Sequence, residues 1–195
     1  MQLIRTAFRR YTAGLAMVLV LGTAPLPAAA APAASAAALS AIRIDNFGQV
    51  DDHYYRGAQP KGDDFRSLAA LGVKTMIDLA AEGDAAEETN AKSAGMRFVR
   101  IPMTTHQVPS PELIARFMTL VTDPANQPVY VHCIGGRHRT GVMTAIYRMT
   151  MDGWNGARAF AEMKQYKFGA DFLHQEFKDF VTTYVATPLA VAEVK

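Results

Sequence analysis

The amino-acid sequence predicts an α/β fold in which a central, mostly parallel sheet carries helices on both faces. Short apolar runs rich in β-branched residues alternate along the chain with segments whose apolar residues recur at helical spacing. Such alternation is typical of parallel sheets, whose crossover connections place helices on the two faces. Residues 42–187 are enough for one ordinary hydrophobic core, and no internal repeat divides them.

Each predicted element rests on a local pattern. Val129 and Val131 lie in an apolar run directly after Pro128 and predict a buried strand. Ser110 can cap a helix whose first turn contains Pro111. The predicted strands are 47–49, 54–56, 74–79, 97–101 and 129–132, and the predicted helices are 63–71, 82–94, 111–122, 140–151, 156–165 and 171–184.

The most informative segment, residues 132–141, reads His-Cys-Ile-Gly-Gly-Arg-His-Arg-Thr-Gly and lies between a predicted strand and a predicted helix. The only cysteine of the chain, Cys133, stands six positions before Arg139. The five residues between them can wrap into a semicircle of backbone N–H groups that opens on a helix N-terminus, which makes an oxyanion site. Gly135 and Gly136 allow the close backbone approach that such a loop needs.

This loop suits phosphoryl transfer to sulfur. Inward N–H groups, the positive end of the helix and a guanidinium favour the thiolate of Cys133, and Arg139 can bind two oxygens of a phosphate. Thr140 can donate a hydrogen bond to the sulfur and ease its departure. Cys133, Arg139 and Thr140 are the predicted catalytic residues, and the predicted substrate-binding residues are Ile134, Gly135, Gly136, Arg137, His138 and Arg139.

The segment resembles the signature of the cysteine-dependent protein tyrosine and dual-specificity phosphatases. Residues 137–141, Arg-His-Arg-Thr-Gly, are similar to the Lys-His-Arg-Thr-Gly ending found in the atypical dual-specificity phosphatases of plants and fungi. Residues 55–60, Tyr-Arg-Gly-Ala-Gln-Pro, resemble an N-terminal element of those proteins and their bacterial relatives, and residues 71–79 match their first helix-to-strand passage. The resemblance, which covers 47–148, implies a dual-specificity-phosphatase-like fold, a Cys133 nucleophile and an Arg139 phosphate clamp.

The general acid is the point at which the sequence departs from that superfamily, which uses an aspartate upstream of the cysteine. The matching stretch, residues 102–112, contains no aspartate. Glu112 is the nearest carboxylate, although a glutamate in the first turn of a helix often only complements the helix dipole. His106 is the second candidate, and Asp84, Glu87 and Glu88 are more distant ones.

The missing aspartate bears on the substrate. Without an acid, leaving groups of low basicity are favoured, so phosphotyrosine, other aryl phosphates and phosphoanhydrides should react better than phosphoserine. Arg137 adds a cation where the plant and fungal relatives, which act on inositol pyrophosphates, carry lysine. We therefore expect a phosphatase that forms a cysteinyl-phosphate intermediate, with phosphorylated proteins, inositol polyphosphates and inositol pyrophosphates as candidate substrates.

Three other functions stay open. A non-catalytic domain that binds phosphorylated ligands fits the missing aspartate. A sulfurtransferase also uses a cysteine in an anion loop, although its loop is usually shorter and lacks the Arg-Thr-Gly ending. Arsenate reduction is disfavoured because the chain has no second cysteine. No His, Asp, Glu or Cys spacing indicates a metal site, and thiolate chemistry needs no metal, so we expect neither a metal nor a cofactor.

The N-terminus predicts export. Arg5, Arg9 and Arg10 precede an apolar run at 13–21 that is short for a bilayer span, and 25–30 is rich in small residues. We expect a signal peptide at 1–30 and a periplasmic or secreted protein, with an uncleaved anchor as the alternative. The Arg9-Arg10 pair hints at twin-arginine export, which the surrounding residues fit poorly.

Removal of the leader changes the charge. The chain has 20 Lys and Arg against 18 Asp and Glu, and the leader holds three arginines and no acid, which leaves 17 against 18. This near-neutral balance gives no sign of nucleic-acid binding. We expect residues 31–41 to be an Ala/Pro-rich linker, 42–187 the phosphatase domain and 188–195 a flexible tail. We expect a monomer without stable membrane association after signal cleavage.

Overall fold

The computed structural model describes residues 36–187, and within them five strands form one mixed, mostly parallel sheet. The strand order is β1-β2-β5-β3-β4, and β1 pairs with β2 antiparallel while the other neighbours pair in parallel. The strands are β1 Gly48–Asp51, β2 Tyr54–Ala58, β3 Thr75–Ala80, β4 Arg97–Met103 and β5 Val129–Cys133. The predicted fold class is confirmed.

Successive residues of a strand point to opposite faces of the sheet. Both faces here carry apolar side chains, and helices cover each of them. Ile77 and Val131 belong to a core cluster that includes Phe117 of α4, whereas Met76 and Tyr130 pack in a second cluster on the other face. The helices are α1 Ala36–Ala41, α2 Asp64–Ala70, α3 Glu87–Ser93, α4 Pro111–Thr122, α5 Arg139–Met151, α6 Gly156–Gln165 and α7 Gln175–Thr183, with a 3-10 helix at Asp171–His174.

Most predicted elements lie where the sequence places them. Helix α4 begins as expected, because the Ser110 hydroxyl accepts a hydrogen bond from the N–H of Leu113 at 3.2 Å and Pro111 occupies the first turn. Helix α6 has the predicted bounds. None of the helices in 36–187 has the length and hydrophobicity that crossing a bilayer requires.

Two predicted helices are wrong in their bounds. The helix expected at 82–94 begins only at Glu87, because the preceding segment packs tightly against β3 and β4. A side chain at Gly83 would collide with Asp78 and Arg100, and Arg100 donates to the carbonyl oxygen of Asp84 at 2.9 Å. The helix expected at 171–184 is divided into the 3-10 helix and α7, because the backbone of His174 departs from helical geometry.

The chain ends bear on the predicted domain bounds. Residues 36–41, the end of the predicted linker, form helix α1, and Ala38 and Leu39 pack against the core cluster that contains Tyr130. The predicted signal peptide at 1–30, linker residues 31–35 and the predicted tail at 188–195 lie outside the described residues.

Candidate active site

The loop between β5 and α5 lies at the carboxyl end of the sheet. Strand β5 is flanked by β2 and β3 on its two sides, and its last residue is Cys133. Helix α5 then begins at Arg139. Open α/β sheets bind their ligands at this edge, where a helix N-terminus faces the carboxyl ends of the strands.

The loop needs glycine at one of its predicted positions. Gly136 has a φ of +62°, a region that favours glycine, and a Cβ atom there would collide with the backbone of Gly57 in β2. The N–H of Gln59 also donates to the carbonyl oxygen of Ile134 at 3.2 Å. The end of β2 therefore fixes the path of the loop.

Two side chains donate to the carbonyl oxygen of Gly136 in the loop. The buried Arg56 donates from Nη2 to the carbonyl oxygen of Gly136 at 2.9 Å, and its guanidinium lies 3.9 Å from the ring centre of Tyr166. Asn46 Nδ2 donates to the same carbonyl oxygen at 2.8 Å. Carbonyls that are held outward leave the N–H groups of the loop to face the interior, where they can bind an anion.

The two terminal nitrogens of Arg139 are hydrogen-bonded, whereas its Nε atom has no partner within residues 36–187. Its Nη1 and Nη2 atoms donate to Glu82 Oε2 at 2.6 Å and to Oε1 at 2.7 Å, and Nη1 also donates to the carbonyl oxygen of Met103 at 3.0 Å. Its Nε atom and the hydroxyl of Thr140 are buried and without a hydrogen-bond partner within residues 36–187. Cys133, at the end of β5 where the loop begins, is buried.

The charges around Arg139 agree with this geometry. Burial lowers the pKa of Arg139, but the hydrogen bond to Glu82 and the charges of Cys133 and Glu82 outweigh it and leave the pKa above its ordinary value. The same hydrogen bond lowers the pKa of Glu82. Both partners of the pair are therefore ionised at neutral pH.

The outer rim of the loop carries cations. Arg137 is about half exposed and lies 3.8 Å from Asp45, which is also paired with Lys167. Ile134 is exposed. The rim can contact the part of a substrate that extends beyond the reacting phosphate.

His138 lies in a cluster of histidines. Its Nε2 atom is 2.9 Å from the carbonyl oxygen of Phe168, and burial lowers its pKa. Its ring centre is 3.7 Å from that of His174, which stacks on His106 at 5.2 Å. The structure thus places the exposed His106 one ring away from the loop.

The candidate general acids differ in their surroundings. Glu112 is exposed in the first turn of α4, where interactions with Ser110 and the helix N-terminus lower its pKa and keep it ionised. His106 is connected to the loop through His174, as described above. The more distant candidates have other partners, since Asp84 Oδ1 accepts from the N–H of Ala86, Glu88 pairs with Lys92 and Glu87 is buried.

A buried group of charges lies behind the loop. His132 Nε2 is 3.0 Å from Glu87 Oε1, and Nδ1 is 3.8 Å from Asp78 Oδ1, in neither case with hydrogen-bond geometry. Arg100 donates from Nε to Asp78 Oδ2 at 2.7 Å and lies 3.8 Å from Glu87. These contacts fix the two ends of the segment that presents Glu82.

The sequence did not indicate that Glu82 and Asn46 belong to the site or that Arg56 is fully buried. Glu82 falls in a segment whose composition favours a helix, and it meets Arg139 only in the folded chain. The single sequence signal for Asn46 is its residue type, since asparagine tolerates the positive φ of 58° that it adopts.

Comparison with known proteins points to one family. A family model described as "DSP-PTPase phosphatase fused to NAD+ Kinase" matches residues 40–180. The chain is 29% identical over 148 residues to the probable tyrosine-protein phosphatase DG1060 of Dictyostelium discoideum, which covers 73% of this chain and 89% of that protein.

Two further relatives have solved structures. The chain is 29% identical over 143 residues to the inositol diphosphatase SIW14 of Saccharomyces cerevisiae, covering 70% of this chain and 50% of SIW14. It is 31% identical over 124 residues to the dual specificity protein phosphatase TpbA of Pseudomonas aeruginosa, covering 64% and 56%. The chain thus spans about half the length of these two proteins.

The folds agree with these matches. The core catalytic domain of SIW14, crystallised with citrate, superposes with a TM-score of 0.63 and 26% identity, covering 73% of this chain and 86% of that one. The TpbA crystal structure gives a TM-score of 0.63 and 26% identity, covering 72% and 86%.

Proposed function

The chain belongs to the DSP-PTPase phosphatases, and we propose that it hydrolyses phosphate esters through a cysteinyl-phosphate formed on Cys133. The observation that carries this assignment is a pair of buried donors, on Arg139 and Thr140 of the cysteine loop, that have no hydrogen-bond partner among residues 36–187. Buried donors of this kind are costly unless a ligand satisfies them. A bound phosphate would supply an acceptor oxygen for Arg139, and the departing sulfur of Cys133 would supply an acceptor for Thr140.

The first step transfers the phosphoryl group to sulfur. The Cys133 thiolate attacks phosphorus, the bond between phosphorus and the leaving oxygen breaks, and that oxygen keeps the electron pair. The loop N–H groups and Arg139 stabilise the charge on the transferring group. In the second step water attacks phosphorus, the S–P bond breaks and inorganic phosphate leaves, while the Thr140 hydroxyl donates to the departing sulfur.

Glu82 orients the arginine for this role. Because its carboxylate accepts from both terminal nitrogens of Arg139, the guanidinium plane is fixed and Nε stays available for a phosphate oxygen. An oriented guanidinium loses less freedom when substrate binds than a mobile one does. Glu82 is thus a positioning residue in this proposal.

The substrates we propose are aryl phosphates, phosphotyrosine among them. Glu112 is held as an anion and is a poor proton donor, so leaving groups that need little protonation are favoured. The relatives DG1060 and TpbA, a probable tyrosine-protein phosphatase and a dual specificity protein phosphatase, support this assignment.

Inositol diphosphates are a second candidate class. The cations Arg137 and Lys167 on the rim favour a ligand with several phosphates, and the relative SIW14 is an inositol diphosphatase. A phosphate leaving group, whose second pKa is about 6, needs little help from an acid.

Hydrolysis of an aryl phosphate by the wild-type protein and by Cys133→Ser tests the proposal. We expect turnover in the wild type and none in the variant. Phosphate binding without any turnover in the wild type would favour the ligand-binding alternative, and thiosulfate:cyanide activity without phosphatase activity would favour a sulfurtransferase.

We also propose that the protein is exported, which the basic, apolar and Ala-rich order of residues 1–30 supports. Fractionation of cells that produce the full chain, followed by mass determination of the mature N-terminus, tests this proposal. Retention of residues 1–30 in the membrane fraction would instead support the anchor.

A further inference from the structure

Three potential metal ligands meet beside the active-site loop. His106 lies in the connection between β4 and α4, His174 ends the 3-10 helix, and Glu176 lies in the first turn of α7. Their ligand atoms lie within 4.8 Å of one another. Sequence spacing gave no sign of this group because His106 is distant along the chain from the other two.

Both histidines lie close to the carboxylate of Glu176. His106 Nδ1 lies 3.3 Å from Glu176 Oε1, and His174 Nδ1 lies 3.6 Å from the same oxygen. The carbonyl oxygen of Thr105 is 3.1 Å from His174 Nδ1. Glu176 Oε1 is buried and has no hydrogen-bond partner in the part of the chain that the structure describes.

We propose that His106, His174 and Glu176 form a binding site for a divalent transition-metal ion of the zinc type. Zinc bonds of about 2.0–2.2 Å in a tetrahedron place the ligand atoms roughly 3.3–3.6 Å apart. The separations of 3.3 and 3.6 Å between the histidine nitrogens and Glu176 Oε1 fall in this range. Two imidazoles and a carboxylate are donors that suit zinc, copper, cobalt and nickel rather than magnesium or calcium.

The carboxylate of Glu176 would supply the negative charge of the ligand set, and metal binding releases protons from such ligands. The metal would displace the proton that His174 Nδ1 shares with the Thr105 carbonyl oxygen. That oxygen, or a water molecule, can then complete four-fold coordination.

A second group of potential ligands is already neutralised. Asp78, Glu87 and His132 also bring their ligand atoms together. However, Arg100 donates to Asp78 at 2.7 Å and lies 3.8 Å from Glu87, so the charges of these carboxylates are already balanced by a side-chain cation. The proposal therefore concerns the His106 group alone.

A metal at the His106 group would connect the β4–α4 loop to α7. His174 packs its ring against His138 of the active-site loop, so the bound ion would lie one residue away from the site of chemistry. Binding would also occupy Nδ1 of His106. The site itself does not depend on the phosphatase activity.

Cobalt and zinc binding by the full, untagged chain test the proposal. The titrations use Cys133→Ser protein, because a thiolate is itself a zinc ligand, and they follow the visible ligand-field absorption of Co²⁺ and its displacement by Zn²⁺. His106→Ala and Glu176→Gln should each weaken binding at least tenfold, the smallest loss expected from groups that support a metal site. His106 is 73% exposed, so its removal should leave the fold intact.

Two matched controls lie outside the group. His53→Ala removes an exposed histidine and Glu112→Gln an exposed helix N-terminal glutamate, and neither should change the affinity for Co²⁺. Affinity that is equal in His106→Ala and in its parent, absence of tetrahedral Co²⁺ absorption, or an equal loss in the His53→Ala control would overturn the proposal. Because the readout is metal binding by an inactive variant, these outcomes are independent of whether the phosphatase assignment holds.

Discussion

The Glu82 carboxylate accepts hydrogen bonds from both terminal nitrogens of Arg139, at 2.6 and 2.7 Å, and leaves Nε of that arginine without a partner among residues 36–187. Glu82 is 56% exposed and Arg139 only 3% exposed, so the pair joins the rim of the site to its interior. The arginine is thereby oriented before any substrate arrives.

Removal of the Glu82 carboxylate should therefore lower kcat rather than substrate affinity alone. Glu82→Gln keeps one acceptor oxygen but loses the bidentate pair, and misplacement of the guanidinium can cost on the order of 10²-fold in rate. Steady-state kinetics on an aryl phosphate measures the effect. Glu88→Gln, which breaks an exposed pair with Lys92, is the matched control and should leave kcat unchanged. An unchanged kcat in Glu82→Gln would show that Arg139 does not need this partner.

The pair should also make stability depend on pH in a defined direction. Arg139 lowers the pKa of Glu82 in the folded chain, so the stabilisation is present above the ordinary glutamate pKa of about 4.3 and is lost as pH falls through the lowered value. The contribution is small because Glu82 is half exposed. Urea unfolding at neutral and acid pH should show a stability deficit of Glu82→Gln that shrinks in acid. A deficit that grows in acid would contradict the lowered pKa.

Cys133→Ser and Arg139→Lys should each reduce turnover below detection. The first removes the attacking sulfur, and the second replaces a planar fork by a point charge that cannot bind Glu82 with two nitrogens and still present a third donor to phosphate. Cys133→Ser should still bind phosphate or vanadate, because the loop N–H groups and Arg139 remain. Isothermal titration and aryl phosphate hydrolysis measure the two properties. Turnover near the wild-type rate in Cys133→Ser would exclude the cysteinyl-phosphate mechanism.

The rate should fall steeply as the leaving group becomes more basic. Without a dedicated acid, kcat for substituted aryl phosphates should decrease strongly as the leaving-group pKa rises, provided that phosphoenzyme formation limits turnover. Phosphoserine peptides should be very poor substrates. A flat series would mean that an acid operates.

His106→Asn and Glu112→Gln, compared on the most basic leaving group, then identify that acid. General acid catalysis supplies about 10²-fold or more, so a selective loss of that size assigns the role. The surroundings of the two residues favour the larger effect at His106, since Glu112 is held as an anion. Equal rates in both variants would exclude the two residues.

Asp45 should limit the affinity of the rim for polyphosphates. It pairs with Arg137 and Lys167, and Asp45→Asn would free both cations for the outer phosphates of an inositol polyphosphate. We expect a KM for that substrate about threefold to tenfold lower, with little change for a simple aryl phosphate and a stronger dependence on salt. Asp63→Asn, which breaks the exposed pair with Arg66, is the control. Equal KM shifts for both substrates would assign Asp45 another role.

The features that could be predicted from the sequence are those that depend on residues close together along the chain. The Cys133 to Arg139 loop is contiguous and lies between a clear strand and a clear helix, and the start of α4 is set by Ser110 and its neighbours. The contact between Glu82 and Arg139 could not be predicted, because it depends on how β3 and α5 meet in space. The segment around Gly83 has helical composition, but packing against Asp78 and Arg100 prevents a helix there.

The same limit applies to the histidines. His138 and His174 meet through tertiary packing, and the departure of His174 from helical geometry divides a segment whose pattern predicts one continuous helix. Helix propensity is a weak guide to the bounds of a helix when tertiary contacts such as this one act on its residues.

The buried guanidinium of Arg56 is a positive charge that interacts with Cys133 of the loop. Its Nε and Nη1 atoms have no hydrogen-bond partner within the described chain, and the negative charge of Cys133 is among the groups that raise its pKa against the effect of burial. An uncompensated buried ion costs several kcal/mol. In the proposed mechanism Cys133 is a thiolate, and loss of that negative charge, by substitution with serine or by alkylation, leaves an excess of positive charge at this position. Such protein should retain phosphate or sulfate from its purification buffer, and its melting temperature should depend on the choice of buffer anion more strongly than that of the wild type.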